Sequence, residues 1–225
     1  VAMATTNDKP LTKRRMREAG IPTADWFTPP DWRGLRDDRT YIVKNTLEDA
    51  SLGLDDGCIV KGGEAVKQRA ADCAARHGGS WFAEEYIEGR EFNIAVVNGR
   101  VMPMAEMVFQ DWPSDQPRIV GWKAKWHEDS LESDNTVRYF GVEKDDPVLA
   151  AKLKDICEKC WTLFDLAGYA RVDLRVTDKG EPFVLEINTN PGISPDAGMP
   201  AAAAQIGMDY DQFIMHLVDV ARARA

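Results

Sequence analysis

The stretch YARVDLRVTDKGEPFVLEIN, residues 169–188, decides the fold prediction. Apolar and charged residues alternate in YARVDLRV, and PFVLEIN forms a second apolar run after the polar segment TDKGE. Alternation with a period of two indicates a β-strand with one buried face, and Gly180 within the polar segment is typical of a turn. The stretch therefore predicts an antiparallel hairpin of two strands, residues 169–176 and 182–188.

The same alternation predicts which side chains of the hairpin share a face. Two sets of three alternate residues would each lie on one face: Arg171, Asp173 and Arg175 on the first strand, and Val184, Glu186 and Asn188 on the second. If the turn centres between Lys179 and Gly180, Asp173 lies opposite Glu186 and Arg171 lies opposite Asn188.

Two carboxylates in directly opposite positions indicate a metal site. Asp173 and Glu186 would have their Cβ atoms about 5 Å apart, where like charges destabilise a sheet unless a cation joins them. With the carboxamide oxygen of Asn188 they form an oxygen-only ligand set, which suits Mg²⁺, with Mn²⁺ as a substitute. Arg171 beside them would suit a phosphate oxygen. The alternative that stays open is a solvent-facing hairpin whose charges form surface ion pairs.

Length and composition limit the class of protein. The chain has 225 residues, enough for one large domain or two small lobes, and 44% of them are hydrophobic. The formal charge of −9 argues against a nucleic-acid or anionic-membrane partner, since both require basic patches. The sequence has no run of 18 apolar residues and no signal peptide, so we expect a soluble cytoplasmic protein. Because the chain begins at Val1, we expect a fragment, a processed chain or part of a longer protein.

The remaining patterns mix helices and strands. Helices are predicted at residues 7–19, 64–77, 147–166 and 210–223, and further strands at 41–44, 81–87, 91–97 and 100–108. The elements do not alternate strictly as βαβ units, which favours an α+β fold. The C-x-x-C of Cys157 and Cys160 falls within a predicted helix, so buried free thiols are expected there rather than zinc ligands.

Two further segments suggest nucleotide binding. Lys44 ends an apolar strand just before a loop containing Ser51 and Gly53, where a lysine and free amides could hold a polyphosphate. In WFAEEYIEGRE, residues 81–91, acidic groups could accept hydrogen bonds from an adenine and a ribose, with Tyr86 and Ile87 as flat apolar walls. The alternatives are a solvated lysine and a charged connection between strands.

Six segments together resemble the D-alanine–D-alanine ligases of the ATP-grasp superfamily: NDK…TK…EAGIP, YIVKNTLEDASLGL, FAEEYIEGREFNIAV, GWKAKW, YARVDLRV and FVLEINTNPG. Their order and spacing match from about Asn7 to Ala223. The resemblance implies an ATP-grasp fold with a small central lobe at residues 1–83, a C-terminal lobe at 84–225, and ATP bound between them. The N-terminal domain of such ligases has no counterpart in this sequence.

The resemblance also implies roles for individual residues. Those expected around the phosphates of ATP are Lys9, Lys44, Glu48, Ser51 and Gly53. Those expected around adenine are Glu84, Glu85 and Ile87, with Glu85 and Ile87 acting through backbone atoms. Glu91 would bind the ribose, and Leu185 is a further expected nucleotide-binding residue. Lys125 would close over the γ-phosphate, so that Lys44, Lys125 and Arg171 are the expected catalytic residues. Two Mg²⁺ ions would be held by Asp173, Glu186 and Asn188.

The implied reaction joins a small-molecule carboxylate to an amine through an acyl phosphate made from ATP. Three positions depart from the ligases on the substrate side: Ala50 and Ala197 stand where the ligases carry serines, and Trp126 stands where they carry a tyrosine. We therefore expect a substrate other than D-alanine. Two other classes stay open, namely a nucleotide-binding module without turnover and a metal hydrolase. Related ligases are commonly dimers, so the resemblance suggests a homodimer, although the sequence leaves the assembly open.

Overall fold

The computed structural model describes residues 2–48, 53–55, 57–113, 116–121 and 134–224. Helices lie at Ala2–Asn7 (α1), Lys9–Glu18 (α2), Gly63–His77 (α3), Val142–Asp145 (α4), Pro147–Leu163 (α5), Gly198–Ala204 (α6) and Tyr210–Arg222 (α7). Strands lie at Trp26–Phe27 (β1), Thr40–Asn45 (β2), Ile59–Lys61 (β3), Trp81–Glu85 (β4), Arg90–Val97 (β5), Arg100–Val101 (β6), Ala105–Phe109 (β7), Thr136–Tyr139 (β8), Tyr169–Val176 (β9) and Pro182–Asn188 (β10).

The strands form two antiparallel sheets. The larger sheet has the order β10-β9-β5-β7-β8, with β6 paired to β5, and the smaller sheet has the order β1-β4-β2-β3. The structure thus combines helices with antiparallel sheets, which confirms the α+β prediction. No helix within the described ranges is long and apolar enough to cross a membrane.

The predicted hairpin is present as β9 and β10, and its register at the charged residues is confirmed. Glu186 pairs with Asp173, and Asn188 pairs with Arg171. The apolar face of β9 enters the core as predicted, because Val172 and Leu174 are completely buried there.

The predicted face of β10 holds for Glu186 and Asn188 but is wrong for Val184 and Leu185, because the strand contains a bulge. Pairs near the turn follow a register in which Val184 faces Leu174, and the register shifts by one residue before Glu186. A bulge inserts one extra residue and reverses the alternation beyond it. Val184 and Ile187 therefore both enter the core, whereas Leu185 and Glu186 both turn to the opposite side, where they line a pocket.

The main core lies between the larger sheet and α5. Phe92 and Ile94 of β5 pack there with Leu153 of α5. The thiols of Cys157 and Cys160 are buried in the same core and unbonded, and burial raises the pKa of the Cys160 thiol to about 12. Both cysteines therefore act as small apolar core residues, as the sequence predicted.

Helix α2 packs against the larger sheet, although it precedes the smaller one in sequence. Asp8 caps it by accepting a hydrogen bond from the Leu11 amide at 2.9 Å, and Met16 lies in the main core. The helix predicted at residues 7–19 is confirmed as α2, whereas α1, which precedes it, was not predicted. The division into lobes at residue 83 stays a prediction.

Several predicted boundaries need correction. The strand predicted at residues 81–87 ends at Glu85, and the strand predicted at 100–108 is the two strands β6 and β7. Helix α5 ends at Leu163 rather than at residue 166. The sequence analysis missed five short elements, namely α1, β1, β3, α4 and α6.

Candidate nucleotide and metal site

A pocket lies between the two sheets. Its wall takes residues from β2 and β4 of the smaller sheet, from β5, β9 and β10 of the larger sheet, and from the first residue of α2. Ten residues predicted from the sequence as site residues line it: Lys9, Lys44, Glu48, Glu84, Glu85, Ile87, Glu91, Asp173, Leu185 and Glu186.

Five other predicted site residues are not in this wall. Ser51 and Lys125 lie outside the described residues. Gly53 packs against the ring of Trp81, where an added Cβ would come within 2.5 Å, and its neighbour Leu54 lines the pocket instead. Arg171 and Asn188 lie on β9 and β10, beside the lining residues Asp173 and Glu186.

The facing carboxylates of Asp173 and Glu186 form one wall of the pocket. Arg171 compensates this negative charge by donating to Asp173 from Nε at 2.7 Å and from Nη2 at 2.8 Å. Burial disfavours the Arg171 cation, but Asp173 and then Glu186 favour it and raise its pKa above the ordinary value. The guanidinium is therefore a permanent positive charge next to the carboxylate pair.

The donor set of this wall fits a hard divalent cation. Asp173 and Glu186 supply carboxylate oxygens, and the Asn188 carboxamide oxygen lies next along β10, where it also accepts a hydrogen bond from the Asn190 amide at 2.8 Å. No group of three or more His, Cys, Asp or Glu suited to a metal occurs among the described residues. A cation here would thus be held by two carboxylates and a carboxamide, with ligand oxygens completing its shell, as Mg²⁺ prefers.

The opposite wall contains a carboxylate held between two lysines. Glu84 is completely buried, and its Oε1 lies 2.5 Å from Lys44 Nζ, while its Oε2 is ion-paired with Lys13. Burial opposes ionisation of Glu84, but the two ammonium groups outweigh it and lower its pKa to about 2. Glu84 is therefore an anion at neutral pH.

One carboxylate carries one charge and cannot fully compensate two buried ammonium groups. For Lys44, burial is outweighed by Glu84 and Glu186, and the pKa is raised. For Lys13, burial together with repulsion from Lys44 outweighs Glu84, and the pKa is lowered. Lys44 is thus the firmly charged lysine of the pair, and it is also the one that lines the pocket.

Lys13 is a buried residue behind the pocket wall that the sequence analysis missed. It occupies the TK of a motif used for the resemblance, but no role was assigned to it. Besides pairing with Glu84, its ammonium donates to Thr23 Oγ1 at 2.9 Å, and that hydroxyl donates to the Val184 carbonyl at 2.8 Å. Lys13 thereby connects Glu84 on one wall to the strand bulge that orients Leu185 and Glu186 on the other.

The N-terminus of α2 holds a second lysine at the mouth of the loop after β2. Lys9 donates from Nζ to the Glu48 carbonyl at 2.7 Å. Asn45 shapes this loop by accepting hydrogen bonds from the amides of Leu47 and Glu48 at 3.0 and 3.1 Å. Lys9 and Lys44 are therefore positioned to meet a polyanion that enters the pocket.

A planar apolar group would fit between the charged walls. The apolar residues of the pocket are Ile42, Leu54, Ile87, Ile119, Val120 and Leu185, with Tyr86 beside them. The chain leaves β4 after Glu85, and the side chain of Glu85 turns to Arg39 at 2.9 Å. The side chain of Glu85 is thus engaged by Arg39, and a contact of its backbone with adenine stays a prediction.

Comparison with solved structures defines the fold class. The D-alanine–D-alanine ligase of Bacillus anthracis, solved in complex with ATP, superposes on 98% of this chain with a TM-score of 0.73 at 21% sequence identity. The chain covers 67% of that structure. The fold is therefore of the ATP-grasp type found in these ligases, as the resemblance implied.

Comparison of sequences then defines the family. The family model described as "D-ala D-ala ligase C-terminus" matches residues 16–219, so the chain belongs to this family. It is 29% identical to the D-alanine–D-alanine ligase of Aquifex aeolicus over 97% of this chain and 70% of that protein. It is 30% identical to an uncharacterized protein of Sinorhizobium fredii, of which it covers 63%. The chain thus spans about two thirds of the length of these relatives.

Proposed function

We propose that this chain is the ATP-binding part of a carboxylate–amine ligase that forms an acyl phosphate and then an amide bond. One observation supports the proposal most directly. The facing carboxylates Asp173 and Glu186 share a single pocket with Lys9 and Lys44. Carboxylates that hold divalent cations and lysines that hold phosphates are both needed for a metal–nucleotide complex, and neither is needed by an ordinary protein core.

The proposed reaction has two steps. A substrate carboxylate oxygen attacks the γ-phosphorus of ATP, the bond to the bridging oxygen breaks, and ADP leaves. An amine then attacks the acyl carbon, inorganic phosphate leaves, and the amine loses a proton. Neither step needs a protein nucleophile, so the contribution of the protein is position and charge.

Three groups of residues would share that work. Lys9 and Lys44 would hold the phosphates, and Arg171 would stabilise the transferred phosphoryl group, with Lys125 as a further proposed cation. Asp173, Glu186 and Asn188 would hold Mg²⁺, which supplies charge neutralisation when bound. Two ions, or Mn²⁺ in place of Mg²⁺, are part of the proposal. The adenosine would lie against Leu185 and Ile87, with its ribose at Glu91.

We also propose that the substrate differs from D-alanine. The support is the absence of hydroxyl groups at Ala50 and Ala197, because a site that lacks a donor binds a polar substrate group less selectively. The amine and carboxylate would both be small molecules. A homodimer is the assembly that the relatives' family suggests for the whole protein.

The proposal is tested by an ADP-release screen of the full-length protein. D- and L-amino acids and short peptides would be supplied in pairs with ATP and Mg²⁺, and amide products would be identified by mass spectrometry. We expect ADP release that depends on both partners and is lost in Asp173→Asn. The variant Asp178→Asn, in the exposed turn of the same hairpin, is the matched control.

Two results would contradict the proposal. Mg²⁺-dependent ATP binding without ADP release across the panel would favour a nucleotide-binding module. Phosphoester hydrolysis without ATP, and without inhibition by ATP analogues, would favour a metal hydrolase.

A further inference from the structure

Arg175 is a buried arginine in the pocket wall that the proposed reaction does not use. It lies two residues after Asp173 on the polar face of β9, with its side chain 3% exposed. In the sheet it pairs directly with Glu91 of β5, and its Nη2 donates to Glu91 Oε2 at 2.8 Å. Glu91 is the residue proposed to meet the ribose, so Arg175 contacts the nucleotide site through it.

The same guanidinium holds two other segments around the pocket. Nη1 donates to the Gly89 carbonyl at 3.2 Å, and Nη2 donates to the Arg118 carbonyl. Gly89 has a φ of 145° and lies so close to the Val176 carbonyl that an added Cβ would come within 2.0 Å of its oxygen. The connection between β4 and β5 therefore packs tightly against β9 next to the Gly89 carbonyl that Arg175 binds.

The contact with Arg118 positions an apolar part of the wall. Ile119 and Val120 follow Arg118 directly and line the pocket. The Arg175 Cζ also lies 5.6 Å from the centre of the Tyr86 ring. Arg175 thus fixes the proposed ribose acceptor and the neighbouring apolar wall with one rigid, planar group.

Burying a charged pair is costly, and apolar residues of similar size at such positions are often as stabilising or more so. The placement of a salt bridge here, inside a ligand pocket, therefore requires a reason other than core stability. The fixed orientation of the Glu91 carboxylate supplies one, because Arg175 holds Oε2 and the carboxylate has its second oxygen for a hydroxyl donor.

We propose that Arg175 is a positioning residue that sets the preference of this pocket for a ribonucleotide by holding Glu91 for the ribose hydroxyls. The inference rests on the proposed ATP binding and adds a determinant of which nucleotide is bound. A hydroxyl hydrogen-bonded to a fixed carboxylate is recognised more strongly than one facing a mobile carboxylate, because the fixed group loses no rotational freedom on binding.

The test compares dissociation constants for ATP, 2′-deoxy-ATP and 3′-deoxy-ATP, each with Mg²⁺, by calorimetry on the full-length protein. The wild type should bind ATP about tenfold or more tightly than at least one deoxy analogue, which is the usual effect of a hydrogen bond to a charged group. In Arg175→Met this ratio should fall to about one- to threefold, because Glu91 loses its anchor. Arg90→Met is the matched control, since Arg90 starts β5 and pairs with Glu106 at 2.6 Å outside the pocket wall.

A second variant protects the test against misfolding. If circular dichroism shows that Arg175→Met is unfolded, Arg175→Lys replaces it, because lysine keeps the positive charge but not the planar, forked donor group. The ratio should again fall relative to Arg90→Met.

Equal weakening of all three nucleotides, with the ratio unchanged, would show that Arg175 is only structural and would overturn the inference while leaving the proposed function intact. A wild type that binds Mg-ATP without preferring it over either deoxy analogue would overturn it as well. A wild type that binds no Mg-ATP would instead overturn the proposed function and this inference with it.

Discussion

Arg171 and Asp173 form a two-point contact along one strand face, with N–O distances of 2.7 and 2.8 Å. The contact joins the group proposed to stabilise a phosphoryl group to a group proposed to hold a cation. Glu186 faces Asp173 across the strand pair, so the two carboxylates repel each other. In the protein without a bound cation, Arg171 compensates this repulsion. A bound divalent cation would take over that compensation and leave Arg171 able to contact phosphate.

The first prediction follows from this division of roles. Arg171→Ala should lower kcat about 10²–10³-fold, the usual loss when one preorganised electrostatic contact to a transition state is removed. Mg-nucleotide affinity should change little, since the metal ligands remain. Steady-state kinetics and calorimetry would measure the two quantities, with Arg90→Ala as control. Equal losses in kcat and in nucleotide affinity would contradict the role of Arg171.

The second prediction concerns the cation. Mg²⁺ should increase the nucleotide affinity of Asp173→Asn by a factor about tenfold or more smaller than in the wild type, because one of two anionic ligands becomes neutral. Binding measured in EDTA should change much less. Titrations of ATP at several Mg²⁺ concentrations check this, and Asp178→Asn should match the wild type. An unchanged Mg²⁺ dependence in Asp173→Asn would exclude Asp173 as a ligand.

The two lysines around Glu84 allow a third prediction. Lys13→Met and Lys44→Met each leave Glu84 with one lysine and remove one hydrogen bond to a charged group, so each should lower the free energy of unfolding by about 1.5–3 kcal/mol. Only Lys44 lines the pocket, so only Lys44→Met should also weaken ATP binding, by about tenfold or more. Urea unfolding and calorimetry separate the two effects. If both variants lost ATP affinity equally, Lys13 would have to act on the ligand itself.

Glu84 gives a fourth prediction, on pH. Its pKa is lowered from 4.5 to about 2 in the folded protein, so its contribution to stability is complete above pH 4.5 and is lost as the pH falls from 4.5 towards 2. Glu84→Gln should remove this part of the pH dependence and lower stability at pH 7 by about 3–5 kcal/mol, since two buried lysines lose their counter-ion.

The control for Glu84→Gln is its neighbour. Glu85 pairs with Arg39, whose side chain is 50% exposed, so Glu85→Gln should cost at most about 1 kcal/mol. Urea unfolding between pH 3 and pH 7 would compare the two variants. If Glu84→Gln and Glu85→Gln were equally stable at pH 7, the ion pairs of Glu84 with Lys13 and Lys44 would not stabilise the folded protein.

The sequence predicted the pairing of Asp173 with Glu186 for a reason that was partly incorrect. The turn of the hairpin centres on Lys179 rather than between Lys179 and Gly180, because the pairs next to it place Val176 opposite Pro182. The bulge at Leu185 then shifts the register by one residue and restores the predicted pairing of Asp173 with Glu186. The apolar residues Val184 and Ile187, three apart rather than two, were the signal in the sequence that could have indicated this bulge.

The sequence patterns could not identify contacts between residues that lie far apart along the chain. The alternation in residues 169–176 could place Arg175 on the polar face, but only the neighbouring strand β5 reveals Glu91 as its partner. Likewise, the period of a helix does not show that Lys13 reaches Glu84, which lies 71 residues further along the chain. Local periodicity predicts faces, whereas pairing between distant elements depends on the packing of the two sheets.

The loop after β10 carries the last prediction. Ala197 occupies the N-cap of α6 and provides no side-chain acceptor for the first amides of that helix. Ala197→Ser would restore an acceptor and should raise the free energy of unfolding by about 1 kcal/mol. Ala204→Ser, at the exposed end of the same helix, should lower it by about 0.5 kcal/mol.

If a substrate carboxylate also lies here, as the resemblance implies, Ala197→Ser should increase ADP release with D-amino acids, whereas Ala204→Ser should not. A gain in stability without any change in the substrates that promote ADP release would mean that the missing hydroxyl affects only the helix cap.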